Sequence, residues 1–254
     1  MSDSYFGGLD FGTSGVRLTI ININKNIIYS SSNSEGYDLK KPKSWILICE
    51  ALLSDIPYII KQKLDRLSVS GTSGTLLACE INGNIFGDAI PYNQICEENK
   101  QKLKIIAGQN EFLNNPFSGL AKGLKLIDMY GQDILLRHQS DWISGWLINN
   151  WLFGEEGNNI KLGWNIINNS WPKSFRLNNL ENYLPKIKKS GVILGIIDTN
   201  LVKKLQLNSN LLIIAGTTDS NAAFIASEIK HDEGLTVLGT TLVLKKFITE
   251  PINH

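Results

Sequence analysis

Phe6-Gly-Gly-Leu-Asp-Phe-Gly-Thr-Ser-Gly-Val-Arg-Leu-Thr-Ile20 is the stretch of sequence around which the rest of the chain is organised. It predicts a short apolar strand, a tight polar turn and a second strand. Two glycines, Gly12 and Gly15, let successive backbone N–H groups of the turn point into one small volume, which suits phosphate oxygens. The carboxylate of Asp10, at the edge of the turn, suits the magnesium ion that accompanies phosphates. Taken alone, the stretch favours an ordinary β-hairpin with a Gly/Ser/Thr turn over a phosphate site.

Composition and charge narrow the classes of function. The 254 residues are 43% hydrophobic and 19% charged, with a net charge of +1, as in an ordinary globular protein. The basic residues are scattered, so we expect no nucleic-acid partner. Apolar runs are too short to span a bilayer, so we expect no membrane partner. The start, Met-Ser-Asp-Ser, does not resemble a signal peptide, and we therefore expect a cytoplasmic protein.

Three cysteines, Cys49, Cys79 and Cys96, are odd in number and share no close spacing. This disfavours a disulfide framework or a zinc site. Cys49 and Cys79 lie in apolar runs and are predicted to be buried free thiols.

Strand and helix patterns follow one another along the chain. The first three strands are predicted as an antiparallel meander over Gly7–Phe11, Val16–Ile23 and Ile27–Ser30. A helix is predicted over Pro42–Lys63, with a kink or break at Pro57. Further helices are predicted over Glu97–Ala107, Gly119–Tyr130, Ser140–Leu152 and Leu180–Lys188, and a short strand over Ile193–Ile197.

One short glycine-containing sequence pattern occurs three times in the chain. Gly12-Thr-Ser-Gly15, Gly71-Thr-Ser-Gly74 and Gly239-Thr-Thr241 each lie between two apolar strands and are predicted to be hairpin turns. Their unequal intervals are unlike those of a solenoid repeat.

A second carboxylate, Asp219, follows the apolar strand Leu211–Ala215 and precedes a small-residue helix. Such a continuous apolar strand is expected in a sheet covered on both faces. If the strand ends that carry Asp10 and Asp219 face one cleft, the site holds a metal-binding acid and a second acid that can act as a base, as phosphoryl transfer to an alcohol requires. The alternatives are a helix N-cap for Asp219 and a turn aspartate for Asp10. Arg17 is interpreted as a surface or sheet-edge residue and not as a phosphate ligand.

Together these stretches resemble the FGGY carbohydrate kinases, which belong to the actin-like ATPase superfamily. Leu9-Asp-Phe-Gly-Thr-Ser-Gly15 resembles the first phosphate motif of that family, and Gly239-Thr-Thr241 resembles the second. Ser70–Gly74 with Ala89–Asn93 resembles the two segments that line the sugar pocket. Ala215–Ala223 resembles the segment with the catalytic aspartate. The order and spacing of these motifs match the family, which is more specific than any one motif.

The resemblance implies an α/β fold of the actin-like ATPase (ribonuclease H-like) type, with a mixed sheet flanked by helices. It implies that residues 1–233 form the N-terminal kinase domain and that residues 234–254 are the opening strands of a truncated C-terminal domain. In the family, that second domain supplies the pocket for adenine and ribose.

Roles for individual residues follow from the resemblance. ATP and Mg²⁺ are the implied cofactors, with Asp10 holding magnesium and approaching the substrate. Asp219 would be the general base that deprotonates the sugar hydroxyl, and Ser73 and Asn93 would contact the sugar. The phosphates of ATP would contact Gly12, Thr13, Ser14, Gly239, Thr240 and Thr241.

The segments Gly71–Thr75, Tyr92–Gln94 and Gly216–Asp219 most resemble the D-ribulose kinase branch. The implied reaction is ATP + D-ribulose → ADP + D-ribulose 5-phosphate, so the expected partners are a small sugar and ATP. Two alternatives stay open, a non-catalytic sugar-binding half-kinase and a xylulose kinase-like enzyme. The sugar-pocket segments disfavour an actin-like ATPase of the chaperone or filament type, and no oligomeric state is predicted.

Overall fold

The computed structural model of the chain describes residues 4–238 and 242–248. Its strands are β1 (Tyr5–Phe11), β2 (Val16–Asn22), β3 (Ile27–Asn33), β4 (Leu64–Gly71), β5 (Leu76–Cys79), β6 (Leu135–His138), β7 (Phe153–Glu155), β8 (Lys186–Lys188), β9 (Ile193–Ile196), β10 (Leu212–Ile214), β11 (Gly234–Leu238) and β12 (Leu242–Lys246). Its helices are α1 (Pro42–Ser54), α2 (Tyr58–Lys63), α3 (Lys100–Ala107), α4 (Gly119–Tyr130), α5 (Gln139–Ile148), α6 (Glu156–Asn159), α7 (Lys173–Leu177), α8 (Thr199–Leu205) and α9 (Asp219–Ala226). Two 3₁₀ turns span Ile160–Leu162 and Glu181–Tyr183.

The main sheet has six strands in the order β3-β2-β1-β4-β10-β9. The first three strands form the predicted antiparallel meander, and β4 and β10 continue the sheet parallel to β1. At the far edge, β9 pairs antiparallel with β10. The predicted α/β fold with a mixed sheet flanked by helices is therefore confirmed. Because of this register, Asp10 lies between Arg17 on β2 and Ser70 on β4.

One face of the main sheet carries the first hydrophobic core. Alternate residues of the central strands point to this face because side chains alternate along a strand. Leu9 and Phe11 on β1 and Leu18 on β2 are almost completely buried there. Helices α1, α5 and α8 cover this face, with Trp45 and Leu147 among the buried side chains.

The opposite face of the sheet is only partly covered. Leu212 and Ile214 are half-buried, and α9, which crosses this face, has no buried residue. A groove of about 700 Å³ lies there, between α9 and the partly exposed side chains of β1, β2 and β4. The prediction that the strand at Leu211–Ala215 is covered on both faces is therefore wrong in this structure. Only the face with Leu211, Ile213 and Ala215 is buried.

A second, smaller layer packs beside the main sheet. Strands β5 and β6 form a separate antiparallel pair, which α3 and α4 enclose in a second core around Leu76, Leu124 and Phe175. The turn Gly71–Gly74 is consequently not a hairpin, and that prediction is wrong. The end of β4 is held by β1 and by the bridge from Gly71 to Thr218, so the chain must leave the main sheet before β5 begins.

Two prolines mark where the helical predictions succeed and fail. The predicted break at Pro57 is confirmed, since α1 ends at Ser54 and Pro57 precedes α2. The helix predicted over Leu180–Lys188 is wrong. The chain there makes a 3₁₀ turn and, after Pro185, the strand β8, which pairs parallel with β7. Proline lacks the N–H that a continuing helix would need.

The last described strands, β11 and β12, pair antiparallel with each other and stand outside the main sheet. The turn predicted between them, Gly239–Thr241, lies outside the described residues. Contact with the rest of the chain runs through α9, where the rings of Phe224 and Phe247 are 4.8 Å apart.

The three cysteines are buried free thiols, as predicted for Cys49 and Cys79. In the described parts of the chain, every helix is too short or too polar to cross a membrane.

Candidate active site

Asp10 is held at the end of β1 by both neighbouring strands. The hydroxyl of Ser70 donates a hydrogen bond of 2.9 Å to Oδ1 of Asp10. The guanidinium of Arg17 lies 3.6 Å from Oδ2. The Asp10 side chain is still 40% exposed, so its carboxylate is accessible from the solvent side of the sheet.

The first glycine turn follows directly. It is closed by a backbone hydrogen bond of 3.0 Å from the N–H of Gly12 to the carbonyl of Gly15. Thr13 and Ser14 are exposed at its tip. Gly15 has φ +159°, and a Cβ there would lie 2.9 Å from Cβ of Ser34, so the turn needs glycine at this position. The predicted tight polar turn between two strands is confirmed.

Asp219 is brought to the same end of the sheet by the close approach of two strands. The backbone of Gly216 passes so near β4 that a Cβ would lie 2.0 Å from the carbonyl oxygen of Val69. Two residues further on, Thr218 bridges Gly71, and α9 begins at Asp219.

The helix N-cap of α9 is Thr218, whose hydroxyl accepts a hydrogen bond from the N–H of Asn221. The alternative interpretation of Asp219 as the N-cap is therefore wrong. Asp219 is the first helical residue, and its Oδ1 accepts a 2.6 Å hydrogen bond from the N–H of Ser220. This leaves its second carboxylate oxygen free of any hydrogen bond to the described residues.

Burial and neighbouring charges shift the pKa of the Asp219 carboxyl. Burial is the largest influence and raises the pKa of its carboxyl, and the negative charge of Asp10 raises it further. The N–H of Ser220 and the ammonium of Lys245 act in the opposite direction. A carboxylate with a raised pKa is a better proton acceptor than an ordinary surface aspartate.

A cleft of about 540 Å³ unites these groups. Its walls include Asp10, Thr13 and Ser14 on one side and Asp219 and Ser220 on the other. The structure thus places two carboxylates and the glycine turn around one volume. The interpretation of Asp10 and Asp219 as one site required the two strand ends to face one cleft, and in the structure they do.

The two stretches interpreted as sugar-pocket segments are linked by a hydrogen bond at their ends. The N–H of Tyr92 donates a 3.2 Å hydrogen bond to Oγ1 of Thr75. Ser73 is half-buried and Asn93 is exposed, and neither lines the 540 Å³ cleft or the 700 Å³ groove. The structure brings Ser73 and Asn93 to neighbouring loops but shows no contact of either side chain with Asp10 or Asp219. The remaining candidates, Gly239, Thr240 and Thr241, lie outside the described residues.

Three site residues were missed in the sequence. Arg17 is a surface residue as predicted, with its side chain 75% exposed, but it also faces Asp10 and lines the cleft. Ser70 supports Asp10, and Lys245 reaches from β12 to Ser220 and Asn221, at 2.9 and 2.6 Å. Strand alternation could have placed Arg17 on the same face as Asp10. The contact of Lys245 depends on how β12 packs against α9, and no local sequence pattern indicates it.

The donor set fits a magnesium ion that arrives with phosphate groups. Among the described residues, no group of three His, Cys, Asp or Glu side chains could hold a metal by itself. Mg²⁺ with nucleotides is usually held by one or two carboxylates, phosphate oxygens and water. Asp10 could supply such a carboxylate, which leaves Asp219 free to accept a proton.

The fold matches solved kinase structures along almost the whole chain. A xylulose kinase from Lactobacillus acidophilus superposes with a TM-score of 0.83 at 19% identity, over 98% of this chain and 55% of that protein. The chain has the fold of the N-terminal half of an FGGY carbohydrate kinase. A gluconate kinase from Lactobacillus acidophilus gives a TM-score of 0.82 at 19% identity, over 99% of this chain and 55% of that protein.

Sequence comparison agrees with this FGGY-type fold. A xylulose kinase of Lactococcus lactis subsp. lactis is 23% identical over 270 residues, which is 96% of this chain and 53% of the relative. No protein-family model matches the chain. The chain therefore spans about half the length of the kinases it matches, and the resemblance recognised in the sequence is confirmed.

Proposed function

We propose that this chain is the sugar-binding half of an FGGY-type sugar kinase, which transfers a phosphoryl group from ATP to a hydroxyl of a ketopentose. The observation that carries the proposal is the juxtaposition of Asp10, Asp219 and the glycine turn around one cleft. A carboxylate free to take a proton, beside a turn suited to phosphate, is the arrangement that phosphoryl transfer to an alcohol requires.

In this reaction the sugar hydroxyl oxygen forms a bond to the γ-phosphorus of ATP. Its proton passes to the carboxylate of Asp219. The bond from the γ-phosphorus to the bridging oxygen breaks, and ADP leaves with that electron pair. The raised pKa of Asp219 favours its role as the acceptor of the proton.

The phosphates are proposed to lie against Gly12, Thr13 and Ser14, with Gly239, Thr240 and Thr241 approaching from the other side. Asp10 would hold the magnesium ion, which when bound neutralises charge on the phosphates. Arg17 and Ser70 keep the Asp10 carboxylate oriented toward the cleft.

The sugar is proposed to contact Ser73 and Asn93. The sequence motifs favour D-ribulose, whereas several of the matched proteins are xylulose kinases. D-xylulose is therefore the second candidate. The two sugars differ in the orientation of one hydroxyl, so the distinction rests on hydrogen bonds within the pocket.

Residues 1–233 are proposed to form the sugar-binding domain and residues 234–254 to open a second domain. The separation of β11 and β12 from the main sheet supports this division. If no second domain completes the cleft, the alternative function is a sugar-binding protein without turnover.

Calorimetric titration of the chain with D-ribulose and D-xylulose tests the sugar assignment. We expect measurable binding of one of them, weakened by Asp219→Ala and by Ser73→Ala. Asp133→Ala, at an exposed position outside the site, is the matched control. Equal binding by the wild type, Asp219→Ala and Ser73→Ala would refute the site assignment.

A coupled assay of ADP release separates the kinase from the binding protein. Because the chain spans about half of each matched kinase, we expect little or no sugar-dependent ADP release from the chain alone. A polypeptide that joins this chain to a second kinase domain should turn over, and Asp219→Ala should abolish that turnover. Robust turnover by the purified monomer would contradict the need for a second domain.

A further inference from the structure

A continuous relay of hydrogen bonds connects the second sugar-pocket segment to the phosphate turn. It begins where the N–H of Tyr92 donates to Oγ1 of Thr75, at 3.2 Å. The hydroxyls of Thr75 and Thr72 are 2.6 Å apart, and that of Thr72 donates to Oε1 of Gln139 at 2.9 Å. The relay therefore enters α5 at its first residue, Gln139, which is fully buried.

From Gln139 the relay continues to the glycine turn. Nε2 of Gln139 donates to the hydroxyl of Tyr37 at 3.1 Å. That hydroxyl donates to the carbonyl oxygen of Gly12 at 2.8 Å. Each group between the Tyr92 N–H and the Gly12 carbonyl both accepts and donates in the same direction, so each bond polarises the next.

The surroundings keep this direction fixed. Oε1 of Gln139 also accepts the N–H of Thr72 at 3.0 Å, so its amide oxygen must face Thr72 and its NH₂ must face Tyr37. Burial raises the pKa of Tyr37 to about 12, so the tyrosine hydroxyl stays protonated and continues to donate to Gly12.

We propose that Tyr37 and Gln139 are positioning residues that couple the sugar-binding loops to the phosphate turn through this relay. The inference rests on the proposed function for the identity of the two ligands. The relay itself joins Tyr92 and Gly12 whatever they bind. A ligand that moves the loop Thr72–Thr75 would displace the carbonyl of Gly12. By the same coupling free energy, phosphate bound at the turn would change the affinity of the loop for its ligand.

The first experiment needs no ligand. Gln139→Met keeps the side-chain length and removes both polar groups, and Tyr37→Phe removes the next link. We expect Gln139→Met to shift the amide NMR resonances of Gly12–Gly15 in the wild type but not in a Tyr37→Phe background. Equal shifts in both backgrounds, or none in either, would overturn the relay.

Matched control variants distinguish loss of the relay from general destabilisation of the fold. Tyr29→Phe removes the hydroxyl of another partly buried tyrosine that packs on the same core, and it should leave the Gly12–Gly15 resonances unchanged. If Gln139→Met does not fold, Thr75→Val interrupts the relay at its sugar end. Thr75→Ser restores the hydroxyl and should restore the wild-type resonances.

The second experiment measures the coupling of ligands. Magnesium tripolyphosphate serves as the phosphate probe in calorimetric titrations with D-ribulose and D-xylulose. We expect it to change the sugar affinity of the wild type by about three- to tenfold and that of Tyr37→Phe by less than about twofold. An equal change in both proteins, or none in the wild type, would refute the coupling. Absence of sugar binding by the wild type would refute the proposed function. The relay would still be tested by the NMR experiment, which needs no ligand.

Discussion

Asp10 and Asp219 line one cleft, and the negative charge of Asp10 raises the pKa of Asp219. The first residue lies on β1 and the second opens α9, near the end of the described chain. They meet because β1, β4 and β10 run parallel, and parallel strands bring their carboxyl ends to one edge of a sheet.

Asp10→Asn is predicted to lower the pKa of Asp219, because it removes a negative charge while keeping the shape of the side chain. A pH titration of the Asp219 carboxyl resonance by ¹³C NMR measures the change. Asp65→Asn, on the neighbouring β4 and paired with Arg66, is the matched control and should leave the titration unchanged. An unaltered Asp219 titration in Asp10→Asn would mean that the two carboxylates do not interact.

Gly216→Ala is predicted to destabilise the chain by at least about 3 kcal/mol, because its Cβ would lie 2.0 Å from the backbone oxygen of Val69. Neither backbone can move without separating β10 from β4. Gly8→Ala is the control, since nothing lies within 4 Å of its added Cβ, and it should change stability by no more than about 0.5 kcal/mol. Urea unfolding measures both, and similar losses in the two variants would contradict the close approach.

Asp141→Asn is predicted to become increasingly stable relative to the wild type as pH rises. Asp141 is 5% exposed, and burial raises the pKa of its carboxyl to about 7 from the usual 3.8. A raised pKa means that the contribution of Asp141 to stability is fully present below pH 3.8 and is lost as pH rises through about 7. The amide does not ionise, so the difference in unfolding free energy should grow across this range, by as much as roughly 4 kcal/mol.

The hydrogen-bond partners of Asp141 set the part of the stability change that does not depend on pH. Its two oxygens accept hydrogen bonds of 2.9 Å from the N–H of Glu155 and from Nδ2 of Asn159. Nδ2 of Asn159 also donates to the carbonyl oxygen of Glu155 at 2.8 Å, so in Asp141→Asn it keeps that bond and loses only the bond to residue 141. This loss does not change with pH and therefore does not alter the predicted pH dependence. Asp133→Asn, at an exposed site, is the control. A stability difference that stays constant between pH 4 and pH 8 would refute the prediction.

Lys122→Met is predicted to loosen the segment around Tyr92. The buried ammonium of Lys122 donates to the carbonyls of Tyr92 and Phe117, at 3.0 and 2.7 Å, and methionine keeps only the apolar stem. Amide hydrogen exchange at Tyr92 should become faster by about three- to tenfold, since one lost hydrogen bond is worth about 1 kcal/mol. Lys125→Met, on the same helix but paired with Glu98, should leave that exchange rate unchanged. Equal acceleration in both variants would show a general effect on α4.

Local patterns predicted much of the fold. The meander β1–β3, the break at Pro57, the buried thiols and the tight turn after Asp10 follow from alternation, proline chemistry and glycine, which act over a few residues. The failures have a tertiary cause. Leu180–Lys188 became a turn and a strand because β7 offers a pairing partner to β8. Gly71–Gly74 did not form a hairpin because β4 and β5 belong to different sheets.

For the candidate site, the sequence alone determined the chemical inventory: a carboxylate before a glycine turn, a second carboxylate before a helix, and an order of motifs that resembles one kinase family. Only the tertiary structure decided which groups meet. The parallel register of β1, β4 and β10 places Asp10 opposite Ser70 and in one cleft with Asp219. The start of α5 likewise meets the loop that follows β3, where Gln139 contacts Tyr37. These contacts join residues far apart in the chain, and their distances depend on how strands and helices pack, which no local pattern encodes.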